Sequence, residues 1–248
     1  LSITAITFDF WQTLYKNRPV DQNARLNYLK TEIEKYSGQQ FSMPQVKAAI
    51  GVARNTWNHI WATDYRTLTA HEWLTAMLAE LRVTLPPANQ SILENRMENS
   101  VLAEPPELVP EITSVLPQLA GRYQLGVISD TGITPGRVLR QILAADGLLD
   151  YFKHLTFSDE LGRSKPHPDV FIYTLKNLHA QPAQAVHVGD LLRTDVLGAQ
   201  QVGMRGVHYV GVTRTDRDDE KDSTVKPDAV ISRHTDLLAL LEQWRSPA

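Results

Sequence analysis

From Val109 onward the chain alternates short β-branched apolar runs with amphipathic stretches of helix length, and few folds accommodate that order. Strands joined through helices run parallel with right-handed crossovers, and a parallel sheet is covered by helices on both faces. The spacing predicts helices over 110–120, 134–145, 168–178 and 194–201. It predicts strands over 124–129, 155–158, 185–188 and 205–210, then a closing strand over 229–231 and a helix over 235–244. The stretch 213–226 mixes both charge signs and reads as a solvated loop. One more strand stands apart at the start. Ile3, Ala5 and Ile6 lead into Phe8-Asp9-Phe10-Trp11-Gln12-Thr13-Leu14, an apolar run that presents Asp9 at its carboxyl end. A carboxylate buried there is costly unless a metal or a lysine pairs with it.

Between these parts lies a stretch with helical spacing only. Asp21 caps a helix to Tyr36 that carries Leu26, Leu29 and Ile33, and Ser37-Gly38 ends it. Ser42 and Pro44 open a second helix, and Thr69 with Glu72 forms a capping box for a third. Pro86-Pro87 precedes a fourth that runs to about Leu102, and Glu104-Pro105-Pro106 reads as a return linker. The expected fold class is therefore α/β: a Rossmann-like parallel core sheet with helices on both faces, plus an inserted all-helical cap. The expected bounds are 1–17 and 104–248 for the core and 18–103 for the cap.

Composition narrows the chemistry. A net charge of -3 lacks the basic excess of a nucleic-acid binder, so no nucleic-acid partner is expected. Cysteine is absent, which removes disulfides, thiolate metal sites and a thiol nucleophile and fits a reducing compartment. No apolar run approaches the roughly 18 residues of a membrane span, and no leader pattern opens the chain. The expected setting is cytoplasmic, without a membrane partner.

Four predicted strand ends carry polar groups: Asp9 to Thr13, Ser129-Asp130, the loop Ser164-Lys165-Pro166, and Gly189-Asp190 with Asp195. In a parallel sheet these ends share one edge, where open α/β folds place ligands. Aspartates supply the hard oxygen ligands that suit Mg²⁺. Lys165 offers a point charge to phosphate oxygens, and Ser129 with nearby backbone N–H groups offers further donors. A carboxylate can serve as nucleophile. Asp130 joins the phosphate-binding set, although packing a turn is the plainer role for it.

This ordered set resembles the haloacid dehalogenase-like (HAD) hydrolase superfamily, in its helical-cap (C1-type) subgroup with a variant first motif. Asp9 with Thr13 matches the first motif and Ser129 in VISD the second. Lys165 in SKPHPDVF matches the third, and Gly189-Asp190 with Asp195 in GDLLRTD the fourth. The resemblance implies Asp9 as nucleophile and metal ligand, Thr13 as an orienting residue, and Ser129 and Lys165 as phosphate-binding catalytic residues. It implies Mg²⁺ as cofactor, held by Asp9, Asp190, the main-chain carbonyl of Trp11 and, directly or through water, Asp195. The implied partner is a small phosphorylated or other anionic metabolite.

The variant lies at Trp11. Phosphatases of the family carry an aspartate there that protonates the leaving group, and proton transfer of that kind is worth about 10²–10⁴-fold. Three readings follow. The chain is a phosphatase with a good leaving group or a replacement for the proton shuttle, for which His59, His71 and His167 are the available imidazoles. Alternatively it forms an alkyl ester on Asp9, as family dehalogenases do. These carry an aromatic residue at the Trp11 position but lack the Gly-Asp motif, and have a tyrosine where this chain has Phe171. Or it binds a phosphorylated ligand or a protein partner without turnover. His187, within an apolar strand, reads as a core histidine. Trp57 and Trp61 share a helix face and read with Tyr65 and Trp73 as bundle core rather than a ligand box. Arg54 and Arg66 are candidates to reach an anion, and Trp11 and Tyr15 to narrow the pocket.

Overall fold

The computed structural model of the chain describes residues 2–18, 21–212 and 224–245, so most of the expected 213–226 loop lies outside the described residues. Strands β1 (Ala5–Phe8), β4 (Gln124–Ser129), β5 (His154–Phe157), β6 (Ala185–Gly189), β7 (Arg205–Tyr209) and β8 (Ala229–Ile231) form one sheet in the order β5-β4-β1-β6-β7-β8. Every neighbouring pair is parallel. β1 is central, with Phe8 registered against Val127 of β4 and Val188 of β6. Asp9, Ser129-Asp130 and Gly189-Asp190 therefore leave the sheet along one edge.

Period-two alternation divides the strand residues between two layers. Ile6, Phe8, Leu125, Val127, Val186 and Val188 pack with residues of α5 (Ile112–Ala120), α6 (Gly136–Ala145) and α10 (His234–Arg245). Ala5, Ile128 and Ala185 face the other way, against α8 (Pro168–Asn177) and α9 (Leu197–Gln201). A four-residue helix, α7 (Ser158–Leu161), follows β5.

The inserted region is all-helical: α1 (Gln22–Ser37), α2 (Met43–Asp64), α3 (Ala70–Leu81) and α4 (Pro87–Asn99) gather a separate apolar cluster around Ala49, Ala53, Leu74, Met77 and Leu93. Its expected caps form. Asp21 accepts from the N–H groups of Asn23 and Ala24, and capping boxes join Ser42 to Gln45 and Thr69 to Glu72. A two-stranded ribbon closes the ends of the insertion: β2 (Tyr15–Lys16) pairs antiparallel with β3 (Glu107–Leu108), where the sequence suggests only a linker. Residues 192–196 form a π-helical turn ahead of α9, where a regular helix is expected from 194.

Tyr15 does not narrow a pocket. It is fully buried, stacks on Phe10 with ring centroids 4.6 Å apart, and donates its hydroxyl to Asp146 at 2.8 Å. Among the described residues no helix is long and apolar enough to cross a membrane.

The α8–α9 layer tolerates no bulk at Gly198, where an added Cβ would stand 2.4 Å from the Phe171 ring. Gly198→Ala is expected to cost about 1–3 kcal/mol in urea denaturation. Gly51→Ala in α2 meets nothing within 4 Å and should be neutral or stabilising by up to about 1 kcal/mol.

Candidate active site

The sheet edge is built around Lys165. Its ammonium donates to Asp9 Oδ1 at 2.6 Å, Asp195 Oδ1 at 2.6 Å and the Ile128 carbonyl at 3.1 Å. All three side chains are buried, with 2% exposure for Lys165, 6% for Asp9 and 1% for Asp195. Asp9, Asp190 and Asp195 each place a carboxylate oxygen within 4.8 Å of the others. The Leu191 N–H donates to Asp195 Oδ2 at 2.9 Å, which closes the turn carrying the fourth motif. Gly189 is obligatory there, because an added Cβ would fall 2.2 Å from Asp195 Cγ.

Electrostatics follow from burial. Asp9 is pushed well above the ordinary carboxylate range by desolvation, with Asp195 and Asp190 adding to the rise and Lys165 opposing it. Desolvation acts the same way on Asp195, but Lys165 and His187 overcome it and hold the group below the usual range. Burial opposes the Lys165 charge, yet Asp195, Asp9 and Asp130 keep the ammonium protonated and raise its pKa. Asp130 is pushed by burial up to about 6.

A cavity of about 390 Å³ opens at this edge, lined by Asp9, Trp11, Gln12, Asn17, Asp130, Gly132, Lys165, Asp190, Leu191, Thr194 and Asp195. Trp11 borders the same space as Asp9. Asp9, Lys165, Asp190 and Asp195 thus converge with Trp11, and Asp130 lines the same cavity, while Ser129 and Thr13 are not among its lining residues. The Ser129 hydroxyl is buried, lies 3.5 Å from the Asp130 carbonyl and is not among the cavity-lining residues. Thr13 is buried with its hydroxyl unpartnered, and its carbonyl is held by His234 Nε2 at 2.8 Å, so it anchors the first motif through its backbone. The Asp130 carboxyl accepts the Lys165 backbone N–H at 2.9 Å and so anchors the third-motif loop.

None of the three imidazoles singled out lines this cavity. His59 is exposed, His71 bonds Glu94 at 2.7 Å, and His167 packs edge-on against Tyr65. Arg66 is paired with Glu72 at 2.8 Å, and Arg54 is exposed. Trp61 lies under the Arg193 guanidinium. Trp57 and Trp73 line a neighbouring cavity with Trp11, so the expected assignment of Trp57 to bundle core is corrected.

The sequence matches the haloacid dehalogenase-like hydrolase family over residues 3–203. The chain belongs to that family. A glyceraldehyde 3-phosphate phosphatase of Pyrococcus furiosus is 36% identical over 121 residues, 49% of this chain, and the chain spans about half that relative's length, 48%. The 5-amino-6-(5-phospho-D-ribitylamino)uracil phosphatase YigB of Escherichia coli (strain K12) is 29% identical over 96% of both chains. In structure, a 2-haloacid dehalogenase from Pseudomonas syringae pv. Tomato DC3000 superposes with a TM-score of 0.73 at 25% identity, covering 98% of this chain and 99% of its own.

The hydrolase's donor set fits a hard divalent cation. Asp9, Asp190 and Asp195 offer carboxylate oxygens only, clustered and buried, and one ammonium cannot neutralise them all. Asp195 Oδ1 already accepts from Lys165 and His187, and Oδ2 from Leu191, which suits a supporting role.

Three histidines of the hydrolase brace this edge. His187, kept neutral by burial, places Nε2 at 3.2 Å from Asp195 Oδ1 and Nδ1 at 2.8 Å from Thr7 Oγ1. The tautomer follows: Nε2–H donates to the carboxylate and Nδ1 accepts from the hydroxyl. His208 Nε2 reaches the Asp190 carbonyl at 3.1 Å, and His234 holds Thr13 as described. A core role for His187 is correct but incomplete. No local pattern marks a bond between residues as far apart in sequence as His234 and Thr13. A polar cluster also ties the second-motif loop to the insertion: Thr67 Oγ1 lies 2.8 Å from Ser158 Oγ, which accepts the Thr131 N–H at 2.8 Å.

The raised Asp130 carboxyl makes stability pH-dependent. Its folded pKa of about 6 exceeds the ordinary 3.8, so between those values the folded state holds the proton more tightly, and its contribution to stability falls as pH rises. Asp130→Asn retains an acceptor for the Lys165 N–H and removes the charge. The variant should be more stable than wild type above pH 6, by on the order of 1–3 kcal/mol. The gain should vanish below pH 4 in urea denaturation series.

Proposed function

We propose that this hydrolase is a Mg²⁺-dependent phosphatase acting on a small phosphorylated metabolite through an aspartyl-phosphate on Asp9. The observation that carries the reading is the buried Lys165 ion pair with Asp9 and Asp195, set beside Asp190 in a cavity that keeps room next to Asp9. The names of full-length and partial relatives add support. The residues 1–17 and 104–248 make up the catalytic core in this reading, and 18–103 a C1-type cap that shields the site from water.

Lys165 occupies Asp9 Oδ1, and no described residue hydrogen-bonds Oδ2, which leaves that oxygen to attack phosphorus. The P–O bond to the alcohol breaks as the bond to Oδ2 forms, and the departing oxygen takes a proton. Water then opens the aspartyl-phosphate, releasing phosphate and restoring Asp9. Asp9 and Asp190, with the Trp11 carbonyl and with Asp195 in support, would hold Mg²⁺. When bound, the ion supplies positive charge to the phosphate oxygens. Lys165 supplies a second positive charge at the same place. The backbone after β4, which begins at Ser129 and Asp130, completes the phosphate contacts, with Thr13 fixing the first motif.

Trp11 offers no titratable proton. Among the cavity-lining residues, Asp130 carries a carboxyl that is not bound to the Lys165 ammonium and whose pKa, about 6, lies near neutrality. Its Oδ1 accepts the Lys165 N–H, which leaves Oδ2 to carry the proton whenever the carboxyl is protonated. We assign proton transfer at the leaving oxygen to Asp130.

Alkyl-ester chemistry has one observation in its favour, the 2-haloacid dehalogenase match with an aromatic residue at position 11. Against it stand the intact Gly189-Asp190 pair and Phe171, which is fully buried against His187 and has no hydroxyl to offer.

A panel of phosphate esters and 2-haloacids, assayed with and without Mg²⁺, separates these chemistries. Wild type should release phosphate only with Mg²⁺, and Asp9→Asn should abolish turnover. Halide release without metal would overturn the proposal. So would absence of any turnover combined with tight binding of a phosphorylated ligand. Asp130→Asn should lower kcat by about 10²–10⁴-fold and flatten its pH profile around 6. Trp11→Asp, which installs a carboxylate at the position next to Asp9, should raise phosphatase kcat by at least about tenfold if proton transfer limits the rate.

A further inference from the structure

We infer that the cavities flanking Trp11 form a subsite for a second oxyanion, a carboxylate or a phosphate, at the end of the substrate remote from its scissile phosphate, with Arg25 as its partner. The inference rests on the phosphatase reading and names the substrate class: phosphomonoesters that carry another anionic group.

Two further cavities, of about 520 and 300 Å³, adjoin the catalytic one through shared walls. Trp11 lines all three. Asn17 is common to the catalytic and the larger cavity, and Gly132 to the catalytic and the smaller. Arg25 and Thr134 are common to the two flanking cavities. A ligand whose phosphate reaches Asp9 therefore extends past Trp11 toward Arg25 on α1.

Arg25 is in an unusual state for this molecule. Arg66, Arg122, Arg137 and Arg140 are each paired with a glutamate. The half-buried Arg25 side chain has no ion pair, hydrogen bond or ring contact among the described residues. In the smaller cavity it is the sole charged residue, and its companions are Trp11, Trp57, Trp73, Gly132, Ile133 and Thr134. The Trp57 indole N–H is likewise buried without an acceptor. In the larger cavity Arg18 adds a second cation. The acids there are Asp21, whose Oδ1 is committed to capping α1, and Glu104, which is exposed.

Donors without acceptors, beside the walls of Trp11, Trp57 and Trp73, call for a ligand that brings acceptors. A partly buried guanidinium without a counter-ion attracts an anion, and its planar fork matches the two oxygens of a carboxylate or phosphate. The residue in place of the usual aspartate is thus a wall of the substrate channel. It separates the reacting phosphate from the group that identifies the substrate.

The test compares kcat/KM, with Mg²⁺, for 3-phosphoglycerate, propane-1,3-diol bisphosphate and glycerol 3-phosphate, which differ at the remote end. Wild type should favour at least one two-anion ester over glycerol 3-phosphate by about tenfold or more, as expected for a charge-assisted hydrogen bond. The favoured ester tells carboxylate from phosphate. Arg25→Gln should bring that ratio close to one, mainly through KM, and Arg25→Lys should keep part of it. Arg54→Gln, on the exposed surface of α2, should keep all of it. No preference in wild type, or equal loss for all three esters in Arg25→Gln, would overturn the inference. Hydrolysis of p-nitrophenyl phosphate reports on the phosphatase reading separately. If that fails, quenching of tryptophan fluorescence by the same three ligands decides the subsite. Tighter binding of a two-anion ester that is lost in Arg25→Gln supports it, and equal binding rejects it.

Discussion

Lys165 carries its ammonium into a cavity lined by four carboxylates, those of Asp9, Asp130, Asp190 and Asp195, and every loop at the sheet edge is arranged with respect to it. It contacts the end of β1 through Asp9, β4 through the Ile128 carbonyl, and the turn after β6 through Asp195. Losing one partner of such a buried set leaves an uncompensated charge, typically at a cost of about 3–5 kcal/mol. Even so, one ammonium leaves the cavity negative, and no phosphate enters a negative cavity readily. A divalent cation held by Asp9, Asp190 and Asp195 would offset that charge. His187 adds no charge, because burial keeps it neutral; its contribution is to orient Asp195.

How much of this was legible in the chain depends on the distance over which each signal acts. Strand periodicity and the capping residues Asp21, Ser42 and Thr69 act within a few residues, and the elements they mark form where expected. Convergence of Asp9, Lys165, Asp190 and Asp195 follows from topology, since parallel strands must end on one edge. The β2–β3 ribbon has two residues in each strand, too few for a period to register. The bracing by His208 and His234 depends on contacts that only the fold creates. Trp57 is the instructive failure: spacing of four residues predicts that it shares a face with Trp61, but spacing says nothing of what the face meets. In the fold it meets a cavity.

Asp130 has two parts in the proposed reaction, as an anchor for the Lys165 loop and as a proton carrier. Its carboxyl is held in a place that raises its pKa, which makes the charged form costly to the fold. The bond it makes to the Lys165 backbone could be supplied by an asparagine, without that cost. Perturbed carboxyls of this kind cluster at functional sites because a group that exchanges protons near neutrality is useful there. A stabilising substitution that removes the reaction is the expected signature, and it separates a proton-transfer role from an anchoring one.

Trp11 connects the two halves of the site. In the sequence it reads as a loss, since an indole stands where a carboxylate would exchange a proton. In the fold it is the residue common to all three cavities. An aspartate there would add a fifth carboxylate to the catalytic cavity and place negative charge on the route to Arg25. The indole instead adds no charge to that route; of the acids near the guanidinium, Asp21 caps α1 and Glu104 is exposed. In the proposed reaction, the residue that leaves proton exchange to Asp130 is also the uncharged wall between the phosphate and Arg25. On this view the variant first motif is a specificity element.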